Sequence, residues 1–111
     1  MNTEDILYIV YLIDVPTKAQ KSYTNFSTQL NYYLLKKYPK YYLGSQLYQD
    51  KSNLSKFYIV ASYKNVTGLF GIINLIQEDI SNYYLYTWGD TIKRYSLFSF
   101  INSTRLIPPI Q

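Results

Sequence analysis

The order of hydrophobic patterns along this 111-residue chain predicts an α+β fold, β-α-β-β-α-β, with an antiparallel four-stranded sheet carrying both helices on one face. Three observations predict it. Residues 6–13 (ILYIVYLI) and 56–63 (KFYIVASY) are apolar on both strand faces, as the strands at the centre of a sheet are. Two longer stretches repeat apolar residues at three- and four-residue steps, the period of a helix. Proline, glycine and Asx chemistry separates these segments.

Each element has its own reasons. Asp14-Val15-Pro16 stops the first strand. Tyr23, Phe26, Leu30, Tyr33, Leu34 and Lys37 then share one face of a helix over about 18–37. Thr17 is its expected N-cap, Lys36 and Lys37 suit its C-terminal dipole, and Pro39 ends it. Residues 40–49 read as a second strand with Gly44 as a candidate bulge, and Asp50-Lys51-Ser52-Asn53 as a turn into the third. Val66, Leu69, Phe70, Ile73, Ile76 and Ile80 form a second helical stripe, which Gly68 and Gly71 weaken at its start. Ser81-Asn82 is expected to turn the chain into a fourth strand over 83–88 (YYLYTW). Gly89-Asp90 then leads either into a fifth strand over 91–98 or into a short helix sharing Ile92, Tyr95, Phe98 and Ile101, the strand being favoured by β-branched and aromatic content. The extended apolar end, Leu106-Ile107-Pro108-Pro109-Ile110, is expected to pack against something.

This order of elements fits the ferredoxin-like split βαβ arrangement, with strand order 4-1-3-2. The chain reads as a single domain over 1–111, with a core at 5–88 and a C-terminal extension at 89–111. The arrangement places the first and third strands centrally, and those are the two that are apolar on both faces.

Composition narrows the chemistry. Fifteen tyrosines accompany a complete lack of histidine and cysteine. That removes the usual general base near neutral pH, the strongest thiol nucleophile and the commonest soft metal ligands. Serines and threonines have no histidine to activate them. Gly68 and Gly71 lack the lysine and the spacing of a phosphate-binding loop. No cofactor and no metal site are expected. The net charge of +4 and the pI near 9.2 are compatible with a nucleic-acid surface and equally with an ordinary soluble protein. The first apolar run is too short to span a bilayer and follows acidic residues, so neither a membrane span nor a signal peptide is expected. With no cysteine and so no disulfide framework, an intracellular site is the default.

Two helices leave the other face of the sheet open. On the first strand that face carries either Ile6, Tyr8, Val10 and Leu12 or Leu7, Ile9, Tyr11 and Ile13, and neither set is polar. Leaving four such side chains in water forgoes about 1.5–3 kcal/mol each. The cover is expected from segment 91–111, from a second copy of the chain or from a ligand that stacks, with a homodimer favoured because tyrosine is enriched at interfaces.

Several short stretches carry resemblances. Leu7 to Leu12 and Lys56 to Tyr63 resemble the first- and third-strand motifs of RNA-recognition domains, without their glycines. That resemblance implies base stacking on Tyr8, Tyr11, Tyr58 and Tyr63. The densest basic stretch, Lys36-Lys37-Tyr38-Pro39-Lys40-Tyr41-Tyr42, could contact phosphates with tyrosines stacking nearby, or could simply neutralise a helix end and guard an edge strand. Asp14, Asp50, Glu78 and Asp79 could share a rim able to hold Mg²⁺. Asp14 after the first strand is similar to the aspartate of the small nucleases of CRISPR adaptation. The overall texture resembles the small accessory proteins of archaeal viruses, which implies a host-interaction role in a host cytoplasm.

The sequence thus points to a non-enzymatic interaction protein, homodimeric, with a protein partner. Its alternatives are a single-stranded nucleic-acid-binding module using Tyr8, Tyr11, Tyr58, Tyr63, Lys36, Lys37 and Lys40, and a metal-dependent nuclease with a carboxylate rim.

Overall fold

The computed structural model describes residues 5–102. Strand β1 (Ile6–Asp14) leads through a 3-10 turn (Thr17–Ala19) into α1 (Gln20–Lys37). Strands β2 (Tyr42–Gln49) and β3 (Lys56–Lys64) follow, then α2 (Leu69–Trp88) and β4 (Lys93–Ile101). The sheet order is β2-β3-β1-β4 with every neighbouring pair antiparallel, the ferredoxin-like arrangement expected from the sequence. Strands β1 and β3 are central, as their two apolar faces require. The apolar end at 106–110 lies outside the described residues.

Two expectations are corrected. Residues 83–88 are the last turns of α2 and no strand. Leu69, Ile73, Ile76, Ile80 and Tyr84 are buried at three- and four-residue steps, and half-buried Trp88 continues that stripe. Ser81 and Asn82 do not turn the chain; they lie on the exposed face of the same helix. Gly89, at φ 55°, ends it in a backbone region that costs other residues about 1 kcal/mol or more. The segment expected as a fifth strand is therefore the fourth. Thr17 does not cap α1: Pro16, at φ −57°, opens the 3-10 turn, and the helix begins after Ala19 without a side-chain cap.

Alternation along the strands sorts the side chains into two layers. Ile9, Tyr11 and Ile13 of β1 and Phe57, Ile59, Ala61 and Tyr63 of β3 face the helices and are buried. Tyr23, Leu34, Leu69 and Ile76 meet them from α1 and α2 and are almost fully buried. Two irregularities adjust this pattern. Gly44, at φ 120°, carries the register shift between β2 and β3 that was expected of it. On β4, Phe98 pairs with Val10 but Ser96 pairs with Tyr11, so Leu97 is an extra residue.

Candidate functional site

Between the sheet and the two helices lies a cavity of about 30 Å³, room for about two water-sized groups. Every layer of the fold contributes to its lining: Ser27 and Asn31 of α1, Tyr11 of β1, Tyr42 and Ser45 of β2, Tyr84 of α2 and Arg94 of β4. An apolar core that admits this many polar groups must hydrogen-bond them, and most are. Asn31 Oδ1 accepts from Tyr42 Oη (2.7 Å), from the Ser45 backbone N–H (3.0 Å) and from Ser45 Oγ (3.3 Å). The hydroxyls of Tyr23 and Tyr84 lie 2.6 Å apart. Gln77 Nε2 donates to Tyr11 Oη at 3.4 Å. Tyr63 Oη and Trp88 Nε1 are buried with no partner among the described residues.

Arg94 is the cation of this site. Its guanidinium lies 5.0 Å from the Tyr11 ring centroid and 4.9 Å from that of Tyr84, within cation–π reach of both rings. Its Nη2 donates to Ser81 Oγ at 2.7 Å. Among the described residues no carboxylate pairs with it, the one ion pair being Lys37–Asp79. A guanidinium has five N–H donors, so donors remain along its edge for an oxygen acceptor.

The tyrosines around it are not bases. Burial pushes the phenols of Tyr23, Tyr42 and Tyr63 up from the ordinary 10.0, and pushes that of Tyr84 up to about 12. They stay protonated near neutral pH and act as hydrogen-bond donors or apolar walls. Such a set of donors could hydrogen-bond an oxygen acceptor, and the Arg94 charge would favour an anionic one.

A separate cluster ties the helices together. Asp79 Oδ2 on α2 accepts from Tyr38 Oη (2.8 Å), Lys37 Nζ (2.9 Å) and Tyr33 Oη (3.1 Å) on and beside α1. Partial burial acts to raise the Asp79 carboxyl, but these hydrogen bonds and the Lys37 charge hold it below its ordinary 3.8. The hydrogen bond to Tyr33 and the one to Asp79 keep the Lys37 ammonium above its usual value.

The sequence-derived site residues are dispersed by this geometry. Tyr8 and Tyr58 lie on the open sheet face, whereas Tyr11 and Tyr63 face the helices and are buried. The four do not form one stacking platform. Lys36 and Lys37 end α1, on the helix side, with Lys37 engaged by Asp79. Lys40 follows in the turn, its Nζ 6.0 Å from the Tyr41 ring centroid. None of these lysines borders the open face. The carboxylate rim does not assemble either: among the described residues no three acidic side chains gather where they could hold a metal ion. Asp50 accepts from the backbone N–H groups of Ser52 and Asn53, ordinary turn chemistry. Sequence reasoning missed Arg94, although a lone arginine inside an aromatic strand with no acid beside it was a visible signal.

No protein-family model and no curated protein matches this sequence. Solved structures do. A candidate antibiotic biosynthesis monooxygenase from Bordetella bronchiseptica superposes with a TM-score of 0.65 at 11% identity, covering 94% of this chain and all of that one. A candidate monooxygenase from Shewanella loihica PV-4 gives 0.58 at 12%, covering 97% and 100%. A conserved Bacteroides thetaiotaomicron protein of unknown function, described as a possible oxidoreductase, gives 0.55 at 8%, covering 86% and 100%. Likeness at such identity establishes the fold. The expectation of a non-enzymatic interaction protein is overturned by these neighbours, whose names are those of enzymes. It rested on the missing histidine and cysteine, which exclude particular chemistries and not catalysis as such.

Among the described residues no helix is long and apolar enough to cross a membrane.

Proposed function

We propose that this protein is a monooxygenase-type enzyme acting on a planar hydroxylated aromatic compound, held with its ionised hydroxyl against Arg94. The observation that carries this reading is the half-buried Arg94 guanidinium, without a carboxylate partner among the described residues, near the Tyr11 and Tyr84 rings at a cavity lined with hydroxyls. The names of the fold neighbours support the reaction class. A phenolate beside half-buried Arg94 is stabilised by its charge, more than the same pair would be in open water. That form is electron-rich and reactive toward oxygen. Where the substrate carries an oxidisable CH₂ next to its ring, the electrons balance without another reductant. One oxygen atom enters as C=O, and the two displaced hydrogens leave with the other as water. The role of Asn31, Tyr42 and Ser45 is to orient, and that of the buried rings is to exclude solvent.

Oxygen uptake by the purified protein, measured over a panel of polyhydroxylated aromatics, tests this. Uptake by the wild type that falls about a hundred- to a thousandfold for R94Q, about 2.7–4 kcal/mol in transition-state terms, is expected. Equal uptake by both proteins, or none with aromatics that bind, overturns it.

We place a second copy of the chain over the open sheet face. Ile6, Tyr8, Val10, Leu12, Tyr58, Val60, Tyr95, Phe98 and Phe100 lie there by register, with Phe98 58% and Phe100 46% exposed. Tyr8 stacks on Phe100 at 5.1 Å, and Phe98 stacks beside it at 6.1 Å. The charges stay at the strand ends, Asp14 with Lys56 and Lys93 at one and Lys64 at the other. Three nine-residue strands and one of eight present about 19 by 30 Å, on the order of 600 Å², close to the ~800 Å² each partner gives a standard interface.

A further inference from the structure

The helix layer has a second opening, on its outer side. A cleft of about 510 Å³ runs between α1 and α2, walled by Phe26, Leu30, Tyr33, Tyr83, Thr87 and Trp88. Its walls are aromatic pairs: Tyr33 and Tyr83 at 4.8 Å, Phe26 and Trp88 at 5.5 Å. That volume is in the range of small-molecule pockets and the aromatic lining suits a flat ring. The inner cavity beside Arg94 is far too small for a ring. Leu30 lines both spaces. It is 9% exposed, and its side chain is common to the two walls.

We propose that the cleft holds the ring of the substrate, and that Leu30 is the partition through which its ionised oxygen passes inward to Arg94. This rests on the reading of Arg94 as the group that recognises an anionic oxygen. The geometry assigns separate tasks to the two spaces. The outer cleft takes the flat apolar body, whereas the inner cavity admits one or two oxygen-sized groups. Leu30 is then a specificity-determining residue, since its side chain sets how far a ring can follow its own hydroxyl inward. A leucine changes rotamer at modest cost, so the partition opens without moving either helix. Ring bulk next to the hydroxyl is the feature Leu30 reads.

Trp88, the single tryptophan of the chain, reports on the cleft, while ionisation of the ligand reports on Arg94. The probe is 4-nitrophenol, whose phenolate is coloured, mixed rapidly with protein at a pH where the free probe is mostly protonated. With the wild type, Trp88 fluorescence quenches and the phenolate band then rises. L30F keeps the quench and slows the band at least tenfold. L30A, or L30V should L30A fail to fold, speeds it at least threefold. R94Q keeps the quench and shows no band. A band that rises without Trp88 quenching, a band whose rate ignores every Leu30 substitution, or a quench with no band even in L30A or L30V overturns the proposal. All signals as expected, with no oxygen uptake from any hydroxyaromatic, removes the monooxygenase reading and leaves the passage standing.

Discussion

Tyr23 and Tyr63 are both fully buried, yet their hydroxyls live under different conditions. Tyr23 Oη has the Tyr84 hydroxyl at 2.6 Å, whereas Tyr63 Oη has no partner among the described residues. Removing a satisfied hydroxyl leaves its neighbour orphaned, while removing an unsatisfied one relieves a desolvation cost. Y23F is therefore expected to lose about 1–2 kcal/mol of unfolding free energy, and Y63F to lose none or gain up to about 1 kcal/mol. Urea unfolding of the two variants beside the wild type measures this. A larger loss for Y63F than for Y23F would contradict the assignment. The sequence shows that tyrosine matters, but it does not say which face, that of Tyr8 or that of Tyr11, the helices cover. Odd spacing from 8 to 11 and from 58 to 63 already placed members of each pair on opposite faces of a strand. Arg94 was harder to see, because what makes it a site is the pair of rings brought to it from β1 and α2.

Between elements, the joint between α1 and α2 is held by one carboxylate. Asp79 gathers three donors from residues 33–38, so it fixes the end of one helix to the middle of the other. Its carboxyl is held below 3.8 in the folded chain. A lowered acid stabilises the fold above its ordinary value and loses that contribution as pH falls through the lower one. D79N is expected to cost about 1 kcal/mol at neutral pH, as for a modest, partly solvated hydrogen-bonded group, with the difference from wild type shrinking below about pH 4. Unfolding midpoints measured from acid to neutral pH check this, and a gap that widens toward acid would refute it. The elements themselves were largely legible: β1, α1, β2 and β3 follow from run length, period and breakers. The end of α2 was not. Six residues of strand-like composition, YYLYTW, follow Ser81-Asn82, yet the buried step from Ile80 to Tyr84 and on toward Trp88 kept the helix going. Packing against the sheet outweighed local propensity, which is worth less than a buried aromatic side chain.

For the whole molecule, the tyrosine core sets a limit at high pH. Tyr23, Tyr42, Tyr63 and Tyr84 all have phenols raised above 10.0 by burial, and a group so raised stabilises the fold only below its unfolded value. As pH rises past about 10 the unfolded chain releases protons that the native one keeps. Four such groups give a slope of about 5 kcal/mol per pH unit, so cooperative unfolding is expected between about pH 10 and 12. Phenolate absorbance against circular dichroism tests it. The phenols of Tyr23, Tyr42, Tyr63 and Tyr84 are expected to ionise only as the fold is lost. Smooth titration of all phenols with structure intact would count against the buried set.

The same scale governs association. The open face predicts a dimer at micromolar concentration in sedimentation, and V10E or F98E is expected to give monomers. A monomeric wild type would remove the partner. The uncovered face is legible from β1 alone; the share of it carried by Tyr95, Phe98 and Phe100 is not, because the extra residue at Leu97 changes which residues of β4 face outward.

Leu97 decides which way both halves of β4 look. Before it, odd residues such as Lys93 and Tyr95 point outward and Arg94 points in; beyond it, the even residues Phe98 and Phe100 point outward. One surplus residue thus lets a single strand serve two chambers of opposite character. A chain lacking Leu97 must give up one of them, turning either its guanidinium or its phenylalanines to the wrong side.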